Sequence, residues 1–133
     1  MRILCLHGAR QTAQIFEQRL ERLVKRCERD RVAQFVFVDG PVELPREPGD
    51  DVAPRSWYDD KSSRAGDAAA LVSAWRFHAP LDGVLGFSAG GAAAAAMAFR
   101  SASEGEFAGL RFAVLAGAPA RPAPEEWWRH QPP

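Results

Sequence analysis

Residues 83–91 read Gly83-Val84-Leu85-Gly86-Phe87-Ser88-Ala89-Gly90-Gly91, and this stretch decides the fold. Val84, Leu85 and Phe87 make an apolar strand, and Ala92 to Ala96, Met97, Ala98 and Phe99 follow with high helix propensity. Between them, Gly86-Phe87-Ser88-Ala89-Gly90 has the G-x-S-x-G spacing of a nucleophile elbow. The spacing has a mechanical reason. A serine at the tip of a sharp strand-to-helix turn is held in a strained backbone conformation, with its hydroxyl pointing out of the sheet. Glycines two residues to either side keep Cβ atoms away from the place where strand and helix backbones nearly touch. The helix N-terminus then brings its dipole and free N–H groups beside Ser88, where an oxyanion would form. The bland alternative is a Gly-Ser turn without chemistry, and the strand before and helix after argue against it.

Outward from the elbow, apolar runs alternate with helical patterns. Ile3-Leu4-Cys5-Leu6, ended by His7-Gly8, reads as a buried parallel strand. Thr12 is placed to cap a helix in which Ile15, Phe16, Leu20, Leu23, Val24 and Cys27 recur at helical spacing. Its other face, charged from Glu17 to Arg29, reads as solvated surface. Val32 to Val38 is a second strand, stopped by Asp39-Gly40-Pro41. From there to Asp60 the chain is rich in Pro, Gly and acidic residues and reads as a long connection without regular structure. Within it, Trp57 and Tyr58 either wall a substrate pocket or anchor the loop by burial. Asp67 to Phe77 is a further helix, with Ala68, Leu71, Val72 and Trp75 on its apolar face. Ser101 to Gly109 reads as a loop and Phe112 to Ala116 as the last strand. Residues 119–133 hold five prolines, at 119, 122, 124, 132 and 133, and so form an irregular tail rather than another central strand. This order predicts one α/β domain over residues 1–118, three-layered α/β/α, with a mostly parallel sheet.

Composition narrows the function classes. With 17 basic and 17 acidic residues, the net charge is zero, which gives no electrostatic case for a nucleic-acid partner. Cys5 and Cys27 read as reduced core thiols, and no Cys/His spacing suggests a metal. The N-terminal apolar run is too short for a signal peptide and no stretch approaches a membrane span, so a cytoplasmic location is expected.

Leu6-His7-Gly8, Trp57-Tyr58 and the elbow from Asp82 to Gly90, in that order, resemble the FSH family of serine hydrolases, a branch of the α/β-hydrolase superfamily. The resemblance runs from Arg2 to about Pro119. It implies a carboxylesterase-type enzyme that cleaves a small-molecule acyl ester or thioester and needs no cofactor. It implies Ser88 as the nucleophile and the Ala89 N–H as one oxyanion donor. The second donor comes from the loop after Gly8, at Ala9 or Arg10, with Ala9 preferred. His7 becomes a loop-shaping residue rather than the base, and Trp57 and Tyr58 are candidates for substrate contact.

The pattern departs from the family twice. Glutamine usually stands where this chain has Ala89, but a main-chain donor survives that change. More seriously, superfamily members place an acid and then a histidine after later strands. Downstream of Ser88 stand only Glu104, Glu106, Glu125, Glu126 and His130. The expectation is a partial hydrolase fold, truncated before the triad acid and histidine. The alternative function is then a non-catalytic binding module, or a fragment that keeps the scaffold. The strand at 112–116 would form an open sheet edge, through which chains could associate. Trp127 and Trp128 either cover the exposed patch or stand free.

Overall fold

The computed structural model describes residues 1–58 and 68–118. In chain order its elements are β1 (Arg2–Leu6), α1 (Ala13–Arg19), α2 (Glu21–Arg29), β2 (Gln34–Val38), β3 (Val42–Glu43), β4 (Arg55–Ser56), α3 (Ala69–Phe77), β5 (Gly83–Phe87), α4 (Ala89–Glu104) and β6 (Phe112–Ala116). The tail expected at 119–133, with Glu125, Glu126, Trp127, Trp128 and His130, lies outside the described residues.

β1 is the centre of the structure because it is apolar on both faces. Leu4, Cys5 and Leu6 are fully buried, as a parallel strand with helices on either side must be. The sheet runs β2-β1-β5-β6, every pair parallel. Residues of β1 alternate between two cores. Ile3 and Cys5 join Phe16, with Leu20, Phe35 and Phe37 packed alongside. Leu4 and Leu6 join Leu71, Trp75, Val84, Ala93 and Met97 on the side of α3 and α4. This is the expected three-layer α/β/α arrangement. Burial pushes the Cys5 thiol up to about 12, so it stays protonated, and both cysteines are free.

The β1–β5 register is fixed at its entrance. Arg2 N–H donates to Asp82 Oδ2 at 2.8 Å, Asp82 N–H donates to the Arg2 carbonyl, and the Arg2 guanidinium donates to the carbonyls of His78 and Pro80. At the far end of the same strands the contact is backbone on backbone. A Cβ at Gly90 would lie 2.1 Å from the Leu6 carbonyl oxygen, and one at Gly86 would lie 2.0 Å from the Gly90 carbonyl oxygen. No side chain can occupy either space, so the start of α4 rests directly on the ends of β1 and β5.

Three expectations change. The helix read as continuous from Thr12 to Cys27 is two helices, broken at Leu20 (φ −96°, ψ 10°). The apolar stripe thins there: Phe16 is buried in α1, but α2 has no buried residue and Leu23 is exposed. With little apolar surface to hold it against the sheet, the chain turns at Leu20. The connection from Gly40 to Asp60, expected to be irregular, contains the short antiparallel pair β3–β4. The helix after Ser88 continues through Ser101 to Glu104 and stops at Gly105 in the left-handed region (φ 68°). Among the described residues β6 is one edge of the sheet, with Val114 and Leu115 exposed, and β2 is the other.

The close approach at Gly90 gives a sharp contrast with its neighbour. At Gly91 the nearest obstruction is the Ala118 Cβ at 3.1 Å. Gly90→Ala should destabilise the chain by about 3 kcal/mol or more, because neither backbone can move aside. Gly91→Ala should fall within about 1 kcal/mol of the parent, overlap being offset by helix propensity. Urea unfolding followed by circular dichroism measures both.

Candidate active site

The tip between β5 and α4 is strained. Ser88 has φ 53° and ψ −118°, a conformation in which a residue with a side chain costs on the order of 1–3 kcal/mol. It is held by its neighbours: the Ser88 N–H donates to the Ala116 carbonyl of β6 at 2.9 Å, and its carbonyl accepts from Ala92 N–H at 3.1 Å. The Ser88 side chain is half-buried, and its Oγ has no hydrogen-bond partner among the described residues. Ala89 opens α4, so its N–H has no intrahelical acceptor.

The loop after β1 lies beside this tip, because Gly90 rests on the Leu6 and His7 carbonyls and the Phe87 ring reaches to 3.1 Å from where a Gly8 Cβ would stand. Its polar groups are almost all engaged. Gly8 N–H donates to Gln11 Oε1 at 3.0 Å. Gln11 N–H donates back to the Gly8 carbonyl at 3.2 Å. Arg10, at φ 62°, donates its N–H to the Arg55 carbonyl, and Arg55 N–H donates to the Gln11 carbonyl, both at 2.9 Å. Of the four N–H groups from Gly8 to Gln11, only that of Ala9 has no acceptor among the described residues. The Arg10 main chain is therefore committed elsewhere, and its guanidinium pairs with Asp50 at 2.9 Å and Glu47 at 3.5 Å.

His7 lies beneath this loop, fully buried. Gly40 N–H can only donate, and it lies 2.9 Å from His7 Nε2. Nε2 is therefore the acceptor, and Nδ1 carries the proton donated to the Gly8 carbonyl at 2.8 Å. Both ring nitrogens are engaged in shaping the loop. Trp57, 1% exposed, donates its indole N–H to the His7 carbonyl at 2.8 Å and lies against the imidazole at 5.2 Å. Tyr58 is also buried, and its carbonyl accepts from Ser56 Oγ. Burial is thus the placement of both aromatics. The clasp in which Gly40 N–H donates to the His7 ring and Trp57 to the His7 carbonyl was not legible in sequence, although the resemblance implied a loop-shaping His7.

Of the downstream acids and the histidine, Glu106 is the one whose side chain is described, and it is engaged away from Ser88. Glu106 pairs with Arg100, its Oε1 accepting from Nη2 at 2.8 Å and its Oε2 lying 2.6 Å from Nε in a less well directed contact. That pair lies near the other end of the 16-residue α4, a helix about 24 Å long. His130, Glu125 and Glu126 lie outside the described residues. Among the described residues no group of three His, Cys, Asp or Glu side chains could hold a metal ion, and no helix is long and apolar enough to cross a membrane. A hollow of about 750 Å³, lined by Met1, Arg2, Glu28 and Gln34, opens at the strand N-termini. Ligands of open α/β sheets bind at the opposite end, where Ser88 and Ala9 are.

The buried His7 predicts a pH effect. Burial holds its pKa below the ordinary value of 6.5, more strongly than the Gly8 carbonyl and Asp39 raise it. The unfolded chain therefore binds this proton first, so His7 contributes fully above pH 6.5 and progressively less as the pH falls toward its folded-state value. The urea midpoint should drop between pH 7 and pH 5. His7→Gln, which can still accept from Gly40 N–H but does not titrate, should flatten that part of the profile.

The family described as "Serine hydrolase (FSH1)" matches residues 1–132. The chain is similar to Hydrolase phiM of Talaromyces stipitatus, 30% identical over 120 residues covering 78% of this chain and 47% of that protein. It is similar to Esterase FPY3 of Fusarium mangiferae at 31% identity, covering 86% and 56%, and to Esterase CG5412 of Drosophila melanogaster at 32%, covering 68% and 38%. The chain thus spans about half the length, or less, of these relatives.

Proposed function

The chain belongs to the FSH1 serine hydrolase family, and on that premise we propose that Ser88 is a nucleophile toward a small-molecule acyl ester or thioester. The observation that carries this reading is the Ser88 backbone itself. A non-glycine residue at φ 53°, ψ −118° is retained against its conformational cost, and such strain concentrates where chemistry uses it. Ser88 Oγ would add to the carbonyl carbon, and the negative oxygen would form between the Ala89 and Ala9 N–H groups. Of the two candidates in the first loop, the free N–H of Ala9 supports it over Arg10, whose N–H is already donated to Arg55. Collapse of that intermediate would break the bond to the leaving oxygen or sulfur, which departs as alcohol or thiol with the proton given up by the Ser88 hydroxyl, and leave an acyl-enzyme for water to cleave. Trp57 and Tyr58 enter this reading as supports beneath the loop rather than as a wall over the substrate.

A second reading has its own observation. Ser88 Oγ has no base beside it among the described residues, and His7 uses both ring nitrogens elsewhere. An unassisted serine hydroxyl is a weak nucleophile. Removing a triad histidine costs about 10⁶ in turnover, while roughly 10³–10⁴ over water survives from the oxyanion hole and binding. A module that binds an acyl carbonyl without turning it over would keep the same elbow and donors.

Intact mass after treatment with a fluorophosphonate separates the readings. A nucleophilic Ser88 predicts one phosphonyl adduct on the parent chain and none on Ser88→Ala. A folded parent that takes no adduct would favour the binding module. Ser88→Gly should also lose the adduct while gaining about 1 kcal/mol of stability, because glycine adopts this conformation without strain.

A further inference from the structure

We infer that Gln11 is a positioning residue for the oxyanion loop, holding Gly8 to Gln11 in the one arrangement that leaves the Ala9 N–H free; this rests on Ala9 being the second oxyanion donor. The argument begins with geometry. The Gln11 side chain folds back three residues so that Oε1 takes the Gly8 N–H at 3.0 Å. Its own N–H donates to the Gly8 carbonyl at 3.2 Å, and its carbonyl accepts from Arg55 N–H at 2.9 Å. One residue thus closes the turn through its side chain and its backbone and ties it to β4. Without Oε1, the Gly8 N–H would be a second free donor beside Ala9, and the loop could rotate to offer either.

The residue type suits the task. Asparagine is too short to reach back across three residues. Aspartate or glutamate would put a negative charge beside the place where a negative oxygen forms. The amide supplies a neutral acceptor, and at half burial the bond is partly shielded from competing water. Arg10, the adjacent residue, is turned out toward Asp50 and Glu47, so it braces the loop from outside while Gln11 holds it from within.

The test uses the full chain with Gln11→Met, which keeps length without an acceptor, and Gln11→Glu, which keeps an acceptor. Amide hydrogen exchange by NMR reads the bond directly. Gln11→Met should speed exchange at Gly8 by about tenfold, the loss of one ordinary hydrogen bond, with Leu4 and Val84 unchanged. Gln11→Glu should leave Gly8 protected. Fluorophosphonate labelling of Ser88 then reads the consequence. The first-order inactivation step should fall in the order parent, Gln11→Glu, Gln11→Met, with the half-saturating probe concentration unchanged. A general loosening would not produce that split, nor the partial rescue. Unchanged Gly8 exchange in Gln11→Met, or parental labelling by that variant, overturns the inference. If no chain is labelled but Gly8 exchange responds as described, loop positioning by Gln11 is upheld and the nucleophile reading is the one that fails.

Discussion

Everything at this site depends on one steric constraint: two main chains meet where no Cβ fits. Gly90 lies against the carbonyls of Leu6 and His7, and Gly86 against the carbonyl of Gly90. That contact draws the first turn of α4 onto the end of β1. Once it is made, the strand-to-helix turn has no relaxed route, and Ser88 takes a positive φ. The same contact brings the loop after β1 against the start of the helix that follows the serine. Substituents at these two glycines would move all three groups together.

In the loop beside this contact, the Ala9 N–H is free among the described residues and the N–H groups on either side of it are satisfied. Buried polar groups normally find partners, and here His7, Gln11, Arg55 and Gly40 supply them for nearly every group near Ala9. Such density of bonds resists the reorientation that would otherwise let the loop close on itself. Under the proposed function, an unpaired N–H held in that way would offer a ligand oxygen a donor whose ordering cost was met during folding.

The large features were legible in the sequence because they follow from period and punctuation. The continuous apolar run Ile3 to Leu6 fixed a buried parallel strand, and Thr12 does cap α1, accepting from Ile15 N–H at 3.2 Å. The strand-to-helix turn at Ser88 was legible because the contact of Gly86 with Gly90 is local to five residues, whereas the demand that Leu6 and His7 make on Gly90 is not. What was not legible depends on groups distant in sequence. The break at Leu20 reflects how little of α2 the sheet can hold, which a helical periodicity does not encode. β3 and β4 are two residues each and leave no alternation to read. The roles of Trp57 and Gln11 depend on hydrogen bonds, one to a carbonyl 50 positions away and one within a turn whose shape other segments impose.

The parallel order of the sheet has a consequence for how the chain is made. β1 must pair with β5, and the Arg2–Asp82 bond at its entrance spans 80 positions. At roughly 5–20 residues per second of synthesis, the first strand waits on the order of ten seconds for its central partner. During that interval only β2 is available to it, and Leu4 and Leu6 have no α4 to cover them. Pairings of such long range are also intrinsically slow to find. The strained serine therefore assembles later than β1 and β2, and a nascent chain is exposed to chaperones and proteases while the turn at Ser88 is still unbuilt.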